Sequence, residues 1–305
     1  MRILNEISLI SLYHFINMFV QVNTFKAIKE YFVEGLEGLF EPGEIQTLFE
    51  ITTEHFLGWS RTEQRTKSDA RLSESELLDF HFTLKRLKRK EPIQYILEEA
   101  PFYGLLFKVT PDVLIPRPET EELVHLILNQ NQDKLKILDI GTGSGCIPIA
   151  IKSKRSDWEV YAVDISEKAL AIAGENAKKN AAECHFTKLD ILEESNLPDT
   201  FPAQFDIIVS NPPYIRDSEK KSMDAGVTHF EPHLALFVED DNPLIFYQAI
   251  GQNCLSWLKD GGKLYLEVNQ LLARETADLL YKIGYKEVQV IKDINSNDRI
   301  VNAKK

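Results

Sequence analysis

Apolar residues recur at intervals of three and four along the first third of the chain. Phe25, Ile28, Tyr31, Phe32 and Leu36 form one such series. Ile45, Leu48, Phe49, Thr52 and Phe56 form a second, and Leu77, Phe80, Leu84 and Leu87 a third. That spacing gathers each series on one face of a helix. Gly43 and Gly58 sit at the breaks, and Ser73 with Glu76 has the form of a capping box ahead of the third series. Residues 24–91 are therefore predicted to be a small helical bundle. They show no titratable cluster of catalytic type, which suits a domain for substrate recognition or positioning.

The pattern changes after residue 91. Residues 103–109 have hairpin character, and Pro111, Pro116 and Pro118 punctuate the stretch beyond them, so 92–118 reads as a β-hairpin linker. A helix is predicted over 119–129, with Glu119, Glu121 and Glu122 in its first turn, where the helix dipole favours acids. From there short apolar runs alternate with helical patterns. Strands are predicted at 136–140, 159–163, 183–188, 205–210, 263–268 and 287–291, and helices near 146–153, 166–180, 243–258 and 270–283. Such alternation predicts an α/β domain over 119–305, Rossmann-like, with a mostly parallel sheet covered on both faces.

Residues 1–23 stand apart. The stretch 7–22 is apolar and follows Arg2, yet His14 and Asn17 interrupt it and no small-residue cleavage pattern comes after it. It also falls short of the ~20 apolar residues of a membrane span. We read 1–23 as an N-terminal extension, with Met18 a plausible true start. Net charge is −12, which argues against a protein that grips nucleic acid through phosphates. Cys146, Cys184 and Cys254 are far apart and lack metal-site spacing. Neither zinc nor a disulfide framework is implied, and a reducing cytoplasm is the simplest setting.

Candidate chemistry begins at Asn211-Pro212-Pro213-Tyr214, which succeeds the apolar run 205–210. Two prolines cannot continue a central strand, so the chain leaves the sheet there in a stiff turn. Ligands of open α/β sheets bind at that end of the strands. A rigid amide there suits gripping a planar –NH₂ group: the Asn211 side-chain oxygen and a carbonyl of the Pro-Pro backbone can each accept one hydrogen, while Tyr214 covers the plane. A second candidate is the glycine-rich run Gly141-Thr142-Gly143-Ser144-Gly145, which leaves the predicted strand at 136–140. By itself such a turn could hold NAD, a nucleotide or S-adenosylmethionine (SAM). Cys146 stands where the dinucleotide pattern wants its last glycine. Asp164, roughly twenty residues past Gly141, is placed to accept from ribose hydroxyls. Asp190 is placed to accept from an adenine amine, with Ile165 and Ile191 as apolar contacts to the ring. The plainer alternatives are that Asp164 caps the helix near Ser166 and that Asp190 is a turn residue.

Together the glycine loop, Asp164 and Asn211–Tyr214 resemble a class I SAM-dependent methyltransferase acting on a planar amine or amide. More specifically, the chain resembles the release-factor glutamine methyltransferase (HemK/PrmC) family. The matching segments are 91–96, 102–104, 113–121, 137–150, 162–166 and 208–215, with Glu231-Pro232, Lys292-Asp293 and Asp298-Arg299. The run from Ile115 through Pro116, Arg117 and Pro118 to Glu121 is the most discriminating. The resemblance implies methyl transfer from SAM to the side-chain amide nitrogen of the glutamine in a release factor's Gly-Gly-Gln loop. It implies that Asn211, Pro212, Pro213 and Tyr214 hold that amide. It implies that Gly141–Gly145, Asp164, Ile165, Asp190, Ile191 and Asn211 hold SAM. Arg117 and Glu119 are expected to shape the site, or else to form an ion pair joining linker to helix. One departure is clear: the family usually has glycine near the end of the Tyr95-Ile96-Leu97 segment, and here Leu97 is followed by Glu98 and Glu99. Other readings are a ribosomal-protein glutamine or a nucleic-acid base amine as substrate, or a SAM-binding module without activity. We expect a monomer with a protein substrate, no membrane association and no direct nucleic-acid contact. The histidines are expected to pack rather than to catalyse or hold metal. The basic run 85–90 reads as a solvated helix face or a contact for an acidic release factor or ribosomal RNA.

Overall fold

A computed structural model describes residues 23–305. The apolar stretch 7–22 and the start at Met18 lie outside the described residues. The chain divides into two compact units, with the boundary between Leu97 and Glu98.

In the first unit each predicted apolar series becomes a helix: α1 (Phe25–Leu36), α2 (Pro42–Leu57) and α4 (Glu74–Leu87). Two short helices, α3 (Arg61–Thr66) and α5 (Ile93–Leu97), were not predicted. α3 buries none of its residues, so no apolar periodicity could announce it; a capping box of Ser60 and Glu63 starts it. The predicted box of Ser73 and Glu76 starts α4. Phe32, Phe49 and Phe80 meet at the centre, with the Phe32 and Phe49 rings 5.4 Å apart. The basic run is partly structural: Arg86 binds Glu91 and the carbonyls of Tyr95 and Ile96, and Lys90 reaches the Leu39 carbonyl.

The second unit opens with the antiparallel hairpin of β1 (Glu99–Phe102) and β2 (Leu105–Lys108). Its turn is Tyr103-Gly104, both with positive φ, the conformation that matches the strands' twist. The segment expected as a linker is thus divided. α5 belongs to the first unit and the hairpin to the second. Next along the chain come α6 (Pro118–Gln130), β3 (Lys136–Ile140), α7 (Cys146–Lys154), β4 (Glu159–Asp164), α8 (Glu167–Lys179) and β5 (His185–Lys188). β6 (Phe205–Ser210) leads into a small parallel pair, β7 (Ile215–Arg216) with β8 (Phe237–Val238), that flanks α9 (Ala225–Phe230). α10 (Ile245–Trp257), β9 (Leu258–Glu267), α11 (Ala273–Ile283), β10 (Lys286–Lys292) and β11 (Asp298–Lys304) complete the chain.

Seven strands form one sheet in the order β10-β11-β9-β6-β3-β4-β5. β9, β6, β3, β4 and β5 run parallel, and β11 runs antiparallel between β9 and β10. Alternate side chains enter opposite cores, as strand geometry requires. Ile208, Leu264 and Leu266 pack with Tyr247, Ile250 and Leu280 from α10 and α11. Ile207, Val209 and Tyr265 pack with Leu123, Ile127 and Ile149 from α6 and α7. β11 was not predicted because Asp298, Arg299 and Asn302 break its apolar run; pairing on both edges forms it.

This topology has one switch point. From β3 the chain moves outward through β4 and β5, then returns to β6 on the other side of β3. The loops after β3 and β6 therefore diverge and leave a crevice at their C-terminal ends.

Glu98, at the departure from the family resemblance, has φ of 54°. A side chain there costs roughly 1–2 kcal/mol relative to the ordinary right-handed region. Glu98→Gly is expected to raise stability by about 1 kcal/mol, read as a higher midpoint in urea unfolding. An unchanged or lower midpoint would show that Glu98 adopts this conformation without strain.

Candidate active site

The crevice opens into a cavity of about 490 Å³, within the range of small-ligand sites. Gly141, Gly143, Asp164, Ile165, Asp190 and Ile191 line one part of it. Asn211, Pro212 and Pro213 line another, facing Val113, Pro232 and Leu234. Nine of the residues singled out from sequence thus share one cavity. Thr142, Ser144, Gly145 and Tyr214 do not line it.

The glycine loop is held open by backbone geometry. Gly141, Gly143 and Gly145 all have positive φ, so each needs glycine on conformational grounds. They differ in surroundings. A Cβ on Gly141 or Gly143 would meet no protein atom within 4 Å, so both face free space. One on Gly145 would lie 2.9 Å from Ile149 and 3.0 Å from Ala173, so Gly145 serves the packing of α7 against α8. The backbone amides of Gly141 and Thr142 donate to the Val163 carbonyl, which carries the β3–β4 ladder into the loop.

Asp164 serves that loop directly. One carboxylate oxygen accepts from the Gly143 amide at 2.8 Å and the other from the Ser166 amide at 2.9 Å. The helix cap itself is Ser166, whose hydroxyl accepts from the Ala169 amide. Burial pushes the Asp164 carboxyl up, against these hydrogen bonds. Each oxygen keeps a further lone pair for a ligand in the cavity. Asp190 accepts from the Leu192 amide as a turn residue does, and it also lines the cavity.

Beneath the loop lies Asp139, 1 % exposed, with neither carboxylate oxygen hydrogen-bonded among the described residues. The buried Thr142 hydroxyl is likewise unpartnered there. Burial pushes the Asp139 carboxyl up to about 7, helped by the Asp164 charge and opposed by the nearby Thr142 hydroxyl.

On the other side of the switch point, the Ser210 hydroxyl donates to the Ile140 carbonyl at 2.7 Å and ties β6 to β3. Asn211 is the next residue. Its Nδ2 donates to Thr120 Oγ1 at 3.1 Å, and Thr120 Oγ1 donates to Glu267 Oε2 at 2.7 Å. The Tyr214 hydroxyl donates to Glu267 Oε1 at 3.1 Å. Burial and the Glu267 charge push the Tyr214 phenol up. The bond to Glu267 fastens the Tyr214 hydroxyl to the end of β9. Arg117 pairs not with Glu119 but with buried Glu231, at 2.6 Å, and Glu231 also accepts from the Ile115 amide. His125 contacts Tyr103 and Asn129, His185 stacks on Tyr161, and His233 meets the Thr228 carbonyl. No group of three metal-ligating side chains occurs among the described residues.

Residues 120–231 match the methyltransferase small domain, and residues 43–97 match the PrmC N-terminal domain. A release factor glutamine methyltransferase of Flavobacterium psychrophilum is 44% identical over 282 residues, covering 90% of this chain and 98% of that protein. One from Bacteroides thetaiotaomicron is 42% identical over 276 residues, with 90% and 98% covered. This chain belongs to the release factor glutamine methyltransferase family. Among solved structures, the hMettl16 catalytic domain superposes with a TM-score of 0.51 at 14% identity, covering 76% of this chain and 81% of that one, a likeness of fold. The fold is that of class I SAM-dependent methyltransferases, and the cofactor of this methyltransferase is SAM. Its residues fit that group: two glycines facing free space, two acids on the wall, and an orphaned buried carboxylate below the loop.

Two residues bonded to this part of the crevice, Thr120 and Glu267, were not singled out from sequence. Thr120 lies within the discriminating segment but its side-chain role was not seen. Glu267 is a lone carboxylate at the end of the apolar run 264–268, and that isolation was the available signal. Among the described residues no helix is long and apolar enough to cross a membrane.

Asp139 yields a pH-dependent expectation for this methyltransferase without cofactor. Its raised folded-state value means that the folded chain holds a proton the unfolded chain has released between about pH 4 and 7. Stability falls as pH rises through that window, by up to about 4 kcal/mol. Asp139→Asn cannot ionise, so its stability relative to the wild type should increase from pH 5 to pH 8 in urea melts. A difference that is the same at both pH values would show that Asp139 titrates alike in folded and unfolded chains.

Proposed function

We propose that this enzyme is a protein glutamine methyltransferase. It methylates the side-chain amide nitrogen of the glutamine in the Gly-Gly-Gln loop of peptide chain release factors. The observation that carries the reading is the Asn211 amide at the switch point, its Nδ2 occupied by Thr120 and its oxygen left for a ligand. The relatives named as release factor glutamine methyltransferases supply the substrate class. Net charge of −12 weighs against a nucleic-acid substrate.

In this reading Gly141 and Gly143 let backbone approach the cofactor, and Asp164 and Asp190 accept its hydroxyl and amine hydrogens. Ile165 and Ile191 pack against its ring. Bound there, SAM would supply an electrophilic methyl group, its S–CH₃ bond breaking to leave the neutral thioether. The chain's own work lies on the substrate side. A glutamine amide nitrogen is a weak nucleophile because its lone pair is shared with the carbonyl. Asn211 Oδ1 and the Pro212 carbonyl each accept one amide hydrogen, which fixes the plane and leaves electron density on nitrogen. Pro213 stiffens the turn, and Tyr214 anchors its far side through Glu267. The nitrogen releases one proton to water as the new N–C bond forms, so no strong base is needed beforehand. Orientation of this kind is worth about 7–11 kcal/mol in favourable cases. The enzyme is read as cytoplasmic, in keeping with its three free cysteines, and as acting on its protein substrate as a monomer.

The test is mass spectrometry of a purified release factor after incubation with enzyme and SAM. The expected result is one added methyl group on the Gly-Gly-Gln glutamine. Asn211→Ala should lower turnover by on the order of 10²-fold or more while calorimetry still detects SAM binding. No added methyl with a folded, SAM-binding enzyme would reject the substrate, and wild-type turnover in Asn211→Ala would reject the role of the amide.

A further inference from the structure

We infer that Thr120 and Glu267 are positioning residues that set the flip of the Asn211 side-chain amide, turning its oxygen toward the substrate. The inference rests on the proposed function and concerns a part of the site that neither ligand is expected to touch.

An asparagine amide is nearly symmetric in shape, so its orientation is fixed by what its neighbours can donate and accept. Here the neighbours leave one solution. Glu267 is 1 % exposed at the end of β9 and, ionised, only accepts hydrogen bonds. Two hydroxyls address it: Thr120 on Oε2 and Tyr214 on Oε1. Each hydroxyl has a single hydrogen, and both hydrogens are committed to the carboxylate. What Thr120 has left is a lone pair. Asn211 must meet that lone pair with its NH₂ group, at 3.1 Å. The reversed amide would set oxygen against oxygen there and would present hydrogens to a substrate amide that also offers hydrogens.

The three residues come from distant elements. Thr120 is in the first turn of α6, Asn211 succeeds β6, and Glu267 ends β9. Burial pushes the Glu267 carboxyl up, and its two hydrogen bonds oppose that. Of the charged groups facing it, Arg299 on β11 favours the ionised form and Glu119 on α6 opposes it. Asn269 adds a backbone contact, its Nδ2 donating to the Tyr214 carbonyl at 3.3 Å. A purely mechanical staple would need neither the hydroxyl of Thr120 nor a group that only accepts at position 267. Setting an amide flip needs both.

The experiment compares Thr120→Val, Thr120→Ser and Glu267→Gln in the full-length enzyme. Thr120→Val keeps the shape and removes the hydroxyl. It should lower kcat for methyl transfer by about 10- to 100-fold with the KM for SAM within about 3-fold of wild type. Thr120→Ser restores the hydroxyl and should return kcat to within about 3-fold. Glu267→Gln can donate as well as accept, frees the Thr120 hydrogen to turn, and should behave like Thr120→Val. A second readout needs no methyl transfer. The side-chain NH₂ resonance of Asn211, assigned by its loss in Asn211→Ala, should exchange slowly with solvent in the wild type and in Thr120→Ser, and faster in Thr120→Val. Wild-type kcat in Thr120→Val, equal impairment of the serine and valine variants, or equal exchange in wild type and Thr120→Val would each overturn the inference. If the wild type methylates no release factor, the proposed substrate fails, and the exchange measurement still decides the flip.

Discussion

Ile140 and Ser210 are the last paired residues of β3 and β6, and the chemistry of the molecule depends on how the chain departs from them. Two adjacent parallel strands cannot send their crossover connections through the same space. The connection from β3 goes to β4 on one side, while β6 belongs to the half of the sheet that grows the other way. The Ser210 hydroxyl on the Ile140 carbonyl holds the two strand ends together where their loops part. One loop must then turn at once into α7, which requires glycines at positive φ. The other leaves through two prolines that bar further pairing. A backbone cradle and a rigid amide thus become neighbours although some seventy residues of chain separate them.

The two sides of the crevice treat buried charge differently. Glu267 is supplied with hydroxyl donors from two elements, and a satisfied buried carboxylate fixes whatever addresses it. Asp139 has no partner on either oxygen among the described residues, and burial holds it near neutrality's midpoint, at about 7. A satisfied group resists rearrangement. An unsatisfied one favours any ligand that brings a donor or a positive charge close to it. The Asn211 side of the crevice is therefore preorganised, while a buried carboxylate with unused hydrogen-bonding capacity lies beneath the glycine loop on the other side.

The legible parts of the sequence were those governed by short-range rules. Helical periodicity announced α1, α2 and α4, because each buries one face in the core of its own unit. Proline and glycine announced both loops, because their backbone restrictions do not depend on context. α3 and β11 were not announced, since one buries nothing and the other is formed by its neighbours. The same division holds for the site. Asp164 and Asn211 stand at strand ends beside recognisable turns, and both line the cavity. Thr120 and Glu267 could not be paired from sequence, because 147 positions separate them and only the packing of α6 against β9 brings them together. Arg117 shows the same limit: its partner is not the nearby Glu119 but Glu231, 114 positions away.

The remaining wall of the cavity is held by side chains that bind backbone. Asn176, fully buried on α8, accepts from the Lys108 amide and donates to both the Lys108 carbonyl at 3.0 Å and the Ser144 carbonyl at 2.9 Å. It therefore joins the last residue of the hairpin to the glycine loop. Glu231 does the corresponding work beyond Asn211, binding the Ile115 amide and Arg117 from inside the fold. The segment between Lys108 and Arg117 supplies Pro111 through Leu114 to the cavity, and each of its ends is fastened to a different loop of the site. A segment with prolines at 111 and 116 has little helix or strand of its own to resist displacement. Its two buried polar anchors, together with the buried side chains of Val109, Val113 and Ile115, hold it in place. That is why the hairpin belongs physically with the methyltransferase unit: one wall of the site is an extension of the hairpin, held by the same polar side chains that shape the loops after β3 and β6.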